Sequence, residues 1–252
     1  MDGTQALILV TIGLFGGVWN AIAGGATLFT FPALMAVGLP PIVANATNYL
    51  ALLPSNAAAL PAYREELRGL GKSLPPLLFV SGLGAVLGSL LLLVSDAEVF
   101  VALIPFLILF ATGLFAFGDK LRAWLMKALG EVRGNSVIYV GLFISSIYGG
   151  YFGAGLGIIL FAIAQIMGYS DFHIANSIKN LLATSFTILS ILVFGVGGLI
   201  AWPEAVTMMV GSTIGGYVGG RLAKRVNTKY LRGIVIAFGF FLSVVYFIRT
   251  FS

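Results

Sequence analysis

Of the chain's 252 residues 59% are hydrophobic and only 9% charged, with a net charge of +5 from 14 Lys and Arg against 9 Asp and Glu. A soluble domain carries about 25% charged residues, so this chain cannot clothe a water-facing surface; apolar runs of about 20 residues point to membrane-spanning helices, not to barrel strands of about 10. With no cysteine and one histidine, disulfides, thiolate chemistry and a multi-histidine metal centre are excluded, and neither a cofactor nor a metal is expected.

The chain opens on "MDGTQALILV", which lacks the basic region of a signal peptide, so the first apolar segment is expected to be retained. Eight apolar blocks follow, over 5–37, 42–62, 73–94, 98–117, 136–167, 172–198, 203–221 and 229–249. The first and fifth are too long for one straight span. Each carries a glycine cluster, "NAIAGGATLF" and "GGYFGAGLGI". Glycine inside a helix costs about 1 kcal/mol relative to alanine, so each block reads as broken or re-entrant, with short helices starting near Ala26 and Leu156. The segment 118–135, "GDKLRAWLMKALGEVRGN", reads as an amphipathic linker helix with Trp124, Leu125 and Leu129 toward the membrane interface.

Rare features recur in order along the two halves. At an offset of 130, Gly25 falls on Gly155 and Gly38 on Gly168; at 131, Ala44 and Asn45 fall on Ala175 and Asn176, and Gly84 and Gly88 on Gly215 and Gly219. The predicted organisation is a first repeat over 1–117, the linker 118–135 and a second repeat over 136–252, each repeat of about four hydrophobic segments. The charged loop "REELRGLGK" (64–72) maps onto the uncharged "GVGGLIAWP" (195–203), and the acidic "SDAE" (95–98) onto "VNTK" (226–229), beside Lys224 and Arg225. Basic loops face the cytoplasm, so equivalent loops lie on opposite sides, the signature of an inverted-topology repeat. Loops 64–72, 118–135 and 221–232 are thus placed in the cytoplasm and the N-terminus outside. The net positive charge lies in these loops and marks topology, not a nucleic-acid partner. Uniformly apolar outer faces carry no recognisable seam, which leaves a homodimer open.

The polar residues concentrate in "GYSDFHIANSIKNLLATSF" (168–186). Lys179 is the lysine or arginine that lies away from the loops and chain ends, within the block that begins near 172, where a charge faces a cavity or a partner; the alternatives are snorkelling to the interface and a structural pair with Asp171. Asn176, Lys179 and Asn180 share a helical face at i, i+3, i+4. In the first half Asn45 and Asn48 map onto Asn176 and Lys179. Two such faces opposed near the midplane, with Thr47 and Ser177 beside them, form an expected site of amides, hydroxyls and one positive charge, suited to a small anion. Half-helix N-termini at Gly25 and Gly155 add free N–H donors. Asp171 and His173 are candidates for proton relay or gating, though "GYSD" also reads as a turn into a helix cap. Gln165 is a further polar lining residue, and Asn20 and Asn56 are weaker candidates. The GxxxG pairs read as helix packing. No Asp or Glu lies deep in an apolar block, which argues against a cation site, and no nucleophile–base pair suggests an intramembrane enzyme.

The stretches "NAIAGGATLFTFPALMAVGLPPIVANATNYL" and "GGYFGAGLGIILFAIAQIMGYSDFHIANSIKNLL" follow one order: glycine-rich break, apolar helix, glycine, small-polar helix start. In this the chain resembles the sulfite exporter TauE/SafE family, also called the toluene sulfonate uptake permease family, over nearly its whole length. The first break, "AGGAT", is poorer in glycine than the family pattern. The resemblance implies a secondary transporter for sulfite, sulfonates or related sulfur-containing anions in the bacterial inner membrane. Its expected cycle rocks one half against the other. A permease for another small organic anion such as a carboxylate, or for a metal or other cation, is the alternative.

Overall fold

Glycine clusters punctuate a chain otherwise rich in helix formers, and helices, some with an internal proline, fill most of the rest. The computed structural model describes residues 1–22, 25–57, 60–129, 135–222 and 228–251. Among these are eleven α-helices and no strand: α1 (Gly3–Ile22), α2 (Thr27–Ala36), α3 (Pro41–Ala57), α4 (Arg64–Leu70), α5 (Leu74–Leu93), α6 (Ala97–Leu129), α7 (Asn135–Tyr151), α8 (Leu156–Ile166), α9 (Phe172–Val196), α10 (Trp202–Leu222) and α11 (Thr228–Phe251). Within α1, α5, α6, α9 and α11 lie segments long and apolar enough to cross a membrane. The chain is an all-α polytopic membrane protein. Parts of three predicted features, at residues 23–24 of the first break, 130–134 of the linker and 223–227 of the loop 221–232, lie outside the described residues.

Both long blocks are broken where the glycines predict. Gly25 (φ +83°) and Gly155 (φ +76°) sit in the left-handed region, where a Cβ is strained. The helices that follow, α2 and α8, have 10 and 11 residues. At 1.5 Å per residue they reach about 15–17 Å, half of a 30 Å hydrocarbon core. In the first block the chain turns back on itself: Gln5 Nε2, in the first turn of α1, donates to the carbonyl of Val37 just past α2 (3.2 Å). The start of α1 and the end of α2 therefore share one end of the bundle, and the first block folds back as a helical hairpin.

Small residues set the tightest helix contacts. A Cβ on Gly211, Gly215 or Gly219 of α10 would lie 2.1, 2.0 and 2.6 Å from the carbonyl oxygens of Val10, Leu14 and Val18 of α1. Both series rise together by four residues, so α1 and α10 run parallel along a glycine seam. On the other side Gly84 of α5 meets Phe143 and Ser146 of α7, Gly88 meets Ile147, and Ser146 Oγ lies 3.1 Å from Ser81 Oγ. These contacts also rise together. The GxxxG motifs are thus packing surfaces, as their spacing predicts. At the offset of 131, α1 corresponds to α7 and α10 to α5, so the two seams are counterparts, and each joins one half of the chain to the other.

Helix α6 departs from the expected linker. Residues 118–129 are helical, but they continue α6 without a break, giving one helix of 33 residues. Nothing in "FAFGDKLRAW" stops a helix, and an interior glycine is tolerated. Trp124 is exposed near its end and Leu125 half-buried. Higher up, neighbouring α6 residues cover both breaks. Phe115 lies against Gly25, and Leu114 against Gly155.

Candidate functional site

The centre of the bundle is the crossing of α3 and α9. Tyr49 packs edge-on against Phe194 (ring centroids 5.4 Å), while further along α3 Leu52 and Asn56 share a cavity with Phe186 and Thr187 of α9. Rising numbers on one helix meet falling numbers on the other, so the helices are antiparallel. The cavity, about 50 Å³, is lined among others by Thr27 at the start of α2, Asn48 and Asn56 of α3, Gly153 in the second break, and Thr187. This volume suits a few waters; a bulkier organic anion requires its walls to part.

First-half polar groups hold the first break to α3. Asn48, 2% exposed, accepts from Thr30 Oγ1 (2.6 Å) and donates through Nδ2 to Thr27 Oγ1 (3.2 Å). Asn45, fully buried, donates to the carbonyl of Tyr151 at the end of α7 (2.9 Å), while its Oδ1 has no partner among the described residues. Tyr49 donates its hydroxyl to the carbonyl of Gly149. Asn20 Nδ2 donates to Ser55 Oγ (2.9 Å) and Asn56 Oδ1 (2.7 Å), so α1 and α3 finish together and the amide oxygen of Asn56 is occupied. Replacing Asn48 by alanine removes both anchors of α2. We expect a loss of about 1–2 kcal/mol, read as a fall of several degrees in the melting temperature of purified protein.

In the second half Lys179 is half-buried on α9. A Cβ on Gly157, in the first turn of α8, would lie 3.7 Å from Lys179 Cδ. Lys179 therefore lies along the start of α8 as Asn48 lies along the start of α2, but no hydrogen bond or ion pair engages its ammonium among the described residues. Asp171 does not neutralise it: the Asp171 carboxylate caps α9, accepting from the backbone N–H groups of His173 (2.9 Å) and Ile174 (3.0 Å). The ion-pair alternative is thereby removed and the predicted cap found. His173 is exposed. Asn176 Nδ2 donates to Tyr63 Oη (2.7 Å), just ahead of α4, and Asn180 is half-buried one turn below. Gln165 of α8 has its Oε1 buried with no partner among the described residues.

The two predicted polar faces do not close on one another. Asn48 lines the central cavity, whereas Lys179 lies eight residues before the cavity residue Thr187, or about 12 Å along a helix. Because α3 and α9 are antiparallel, that displacement carries Lys179 toward the end of α3, away from Asn48. The structure thus keeps Asn45 and Asn48 apart from Asn176, Lys179 and Asn180. Thr47 and Ser177 serve the backbone: Thr47 Oγ1 accepts from the N–H of Ala201 (3.0 Å), and Ser177 Oγ donates to the carbonyl of Ile174 (2.8 Å). The breaks at Gly25 and Gly155 do converge, on adjacent residues of α6. Thr27, Asn56 and Thr187 are the central residues that weighing polar groups by type undervalues. Asn56 falls on Thr187 at the offset of 131, and a polar pair that maps onto itself across a repeat marks the crossing.

The profile of the family described as sulfite exporter TauE/SafE matches residues 9–246. The chain belongs to this family. Similar proteins include a "Probable membrane transporter protein" of Haemophilus influenzae, 33% identical over 94% of this chain and 92% of the relative. "Probable membrane transporter protein YfcA" of Escherichia coli K12 is 31% identical over 91% of this chain and 84% of its own. "Probable membrane transporter protein ORF9" of a Sinorhizobium species is 28% identical over 90% and 87%. No solved structure matches the chain. As a TauE/SafE protein the chain is a multi-pass membrane transporter.

Proposed function

We propose that the protein is a secondary transporter for a small sulfur-containing anion, such as sulfite or an organosulfonate, in the bacterial inner membrane. The observation that carries this reading is Lys179: a half-buried cation inside a membrane helix, without a carboxylate partner among the described residues, lying along the first turn of a half-helix. A helix N-terminus presents N–H donors and partial positive charge, and a lysine beside it adds to that field, so the pair favours an anion. Lys179 draws the anion in on the α8 side. Thr27, Asn48, Asn56 and Thr187 supply hydroxyl and amide contacts in the central cavity. Asn45, Asn176, Asn180 and Gln165 line the approaches.

An inverted arrangement of the two halves is part of this reading. The start of α5 lies where α1 and α3 finish, since Ala57 and Leu74 line one groove and Asn20 bonds Ser55. An α5 running back from that end is opposed to α1. With α1 parallel to α10 and α5 parallel to α7, counterpart helices of the two halves are antiparallel, as inversion demands. On this topology the N-terminus is outside and loops 64–72, 118–135 and 221–232 are cytoplasmic.

Thermal stability of the purified protein across sulfite, alkyl and aryl sulfonates, small carboxylates and divalent cations tests the substrate class. A ligand at 100 times its Kd stabilises by about 2.7 kcal/mol, several degrees for a chain of this size. We expect that shift with sulfite or a sulfonate. A shift with carboxylates alone moves the substrate to that class, and a shift with divalent cations alone overturns the anion reading.

A further inference from the structure

An open groove of about 620 Å³ lies at the end of the bundle where α5 begins; it shares no residue with the central cavity, although Ala57 of the groove adjoins Asn56 of the cavity. Its floor is apolar: Leu60, Leu67, Leu74 and Leu181 line it, drawn from the chain ahead of α4, α4 itself, the first residue of α5, and α9. Its rim carries Arg64 and Arg68. Both arginines are exposed, and at i, i+4 on α4 they share a helix face, with Cβ atoms about 5–6 Å apart. Glu65 and Glu66 belong to the same helix but do not line the groove, and neither arginine forms an ion pair among the described residues.

Leu74 opens a membrane-spanning segment, so the groove stands at the boundary between hydrocarbon and headgroups. An apolar trough that ends in two unpaired guanidinium groups at that level matches an amphiphile with an acyl chain and an anionic phosphate. Guanidinium pairs phosphate oxygens in bidentate fashion, and basic pockets between membrane helices hold anionic headgroups. We propose that this groove binds an anionic phospholipid of the bilayer, acyl chain along Leu60, Leu67, Leu74 and Leu181, phosphate between Arg64 and Arg68. The bound lipid also bears on α9. Tyr63, next to Arg64, accepts the hydrogen bond of Asn176, so a lipid that fixes α4 fixes a contact one turn from Lys179. The proposal does not depend on the identity of the transported anion.

The test titrates the detergent-purified full chain with phosphatidylglycerol, phosphatidylcholine or inorganic phosphate while following thermal stability. Wild-type protein is expected to half-saturate with phosphatidylglycerol at a concentration about tenfold or more below that for phosphatidylcholine. The double variant Arg64→Gln/Arg68→Gln should lose this preference. Arg64→Lys/Arg68→Lys should keep most of it, and Lys127→Gln, at the far end of α6, all of it. The proposal is overturned if the glutamine variant still prefers phosphatidylglycerol, if wild type does not discriminate between the lipids, or if inorganic phosphate alone reproduces the stabilisation.

Discussion

Lys179→Ala is expected to weaken anion binding by roughly 30-fold or more, with the folded protein still recovered. Truncating one member of a buried charge pair costs about 2–5 kcal/mol, and here the other member is the transported anion. Among the described residues nothing takes over the charge, because Asp171 is committed to capping α9 and no ion pair engages Lys179. The fold should tolerate the change, since alanine relieves an unpaired charge that is expensive at membrane depth. Lys179→Arg preserves the charge on a side chain of similar reach. We expect that variant to bind within a few-fold of wild type. Titration calorimetry of each purified variant with the strongest ligand of the stability panel decides the matter. Wild-type affinity in both variants would remove Lys179 from the site.

The largest effect on stability is expected at the α1–α10 seam. In Gly215→Val the new Cβ would lie 2.0 Å from the Leu14 carbonyl oxygen and 2.9 Å from the Val18 nitrogen. Backbone cannot yield as a flexible side chain does, so the helices must separate along the whole seam. Overpacking of this kind costs about 1–3 kcal/mol at a single core site. Here it also disturbs the neighbouring contacts of Gly211 and Gly219, so we expect the upper end of that range or failure to accumulate. Gly113→Ala is the matched control: no atom lies within 4 Å of its added Cβ, and alanine is the better helix former by about 1 kcal/mol. Melting curves of the two detergent-purified variants should fall on opposite sides of wild type. A Gly215→Val protein that melts with wild type would show that the helices are held apart there.

The fold was largely legible because membrane helices leave few alternatives. Long apolar runs with glycines at 24–25 and at 153 and 155 located both breaks, and the spacing of Gly84, Gly88, Gly211, Gly215 and Gly219 located both seams. Periodicity could not reveal that α6 runs on past Gly118, because an amphipathic helix and the end of a long span share one pattern. The candidate site was legible in its parts and not in its assembly. Offset matching pairs Asn48 with Lys179 as counterparts. Counterparts across an antiparallel crossing, however, move apart in proportion to their distance from it, and only residues at the crossing, such as Asn56 and Thr187, meet. Sequence carries the correspondence; the position of the crossing is a property of the packed chain.

The seams also bear on how the chain is made. Val10, Leu14 and Val18 leave the ribosome about 200 residues before Gly211, Gly215 and Gly219, their partners. At 5–20 residues per second that interval is roughly 10–40 s. During it α1 sits in the bilayer with lipid on the face that glycine will later cover, and α7, by contrast, finds α5 already inserted. The second half can therefore dock on the first as it emerges, while the first is completed only after nearly the whole chain has been synthesised.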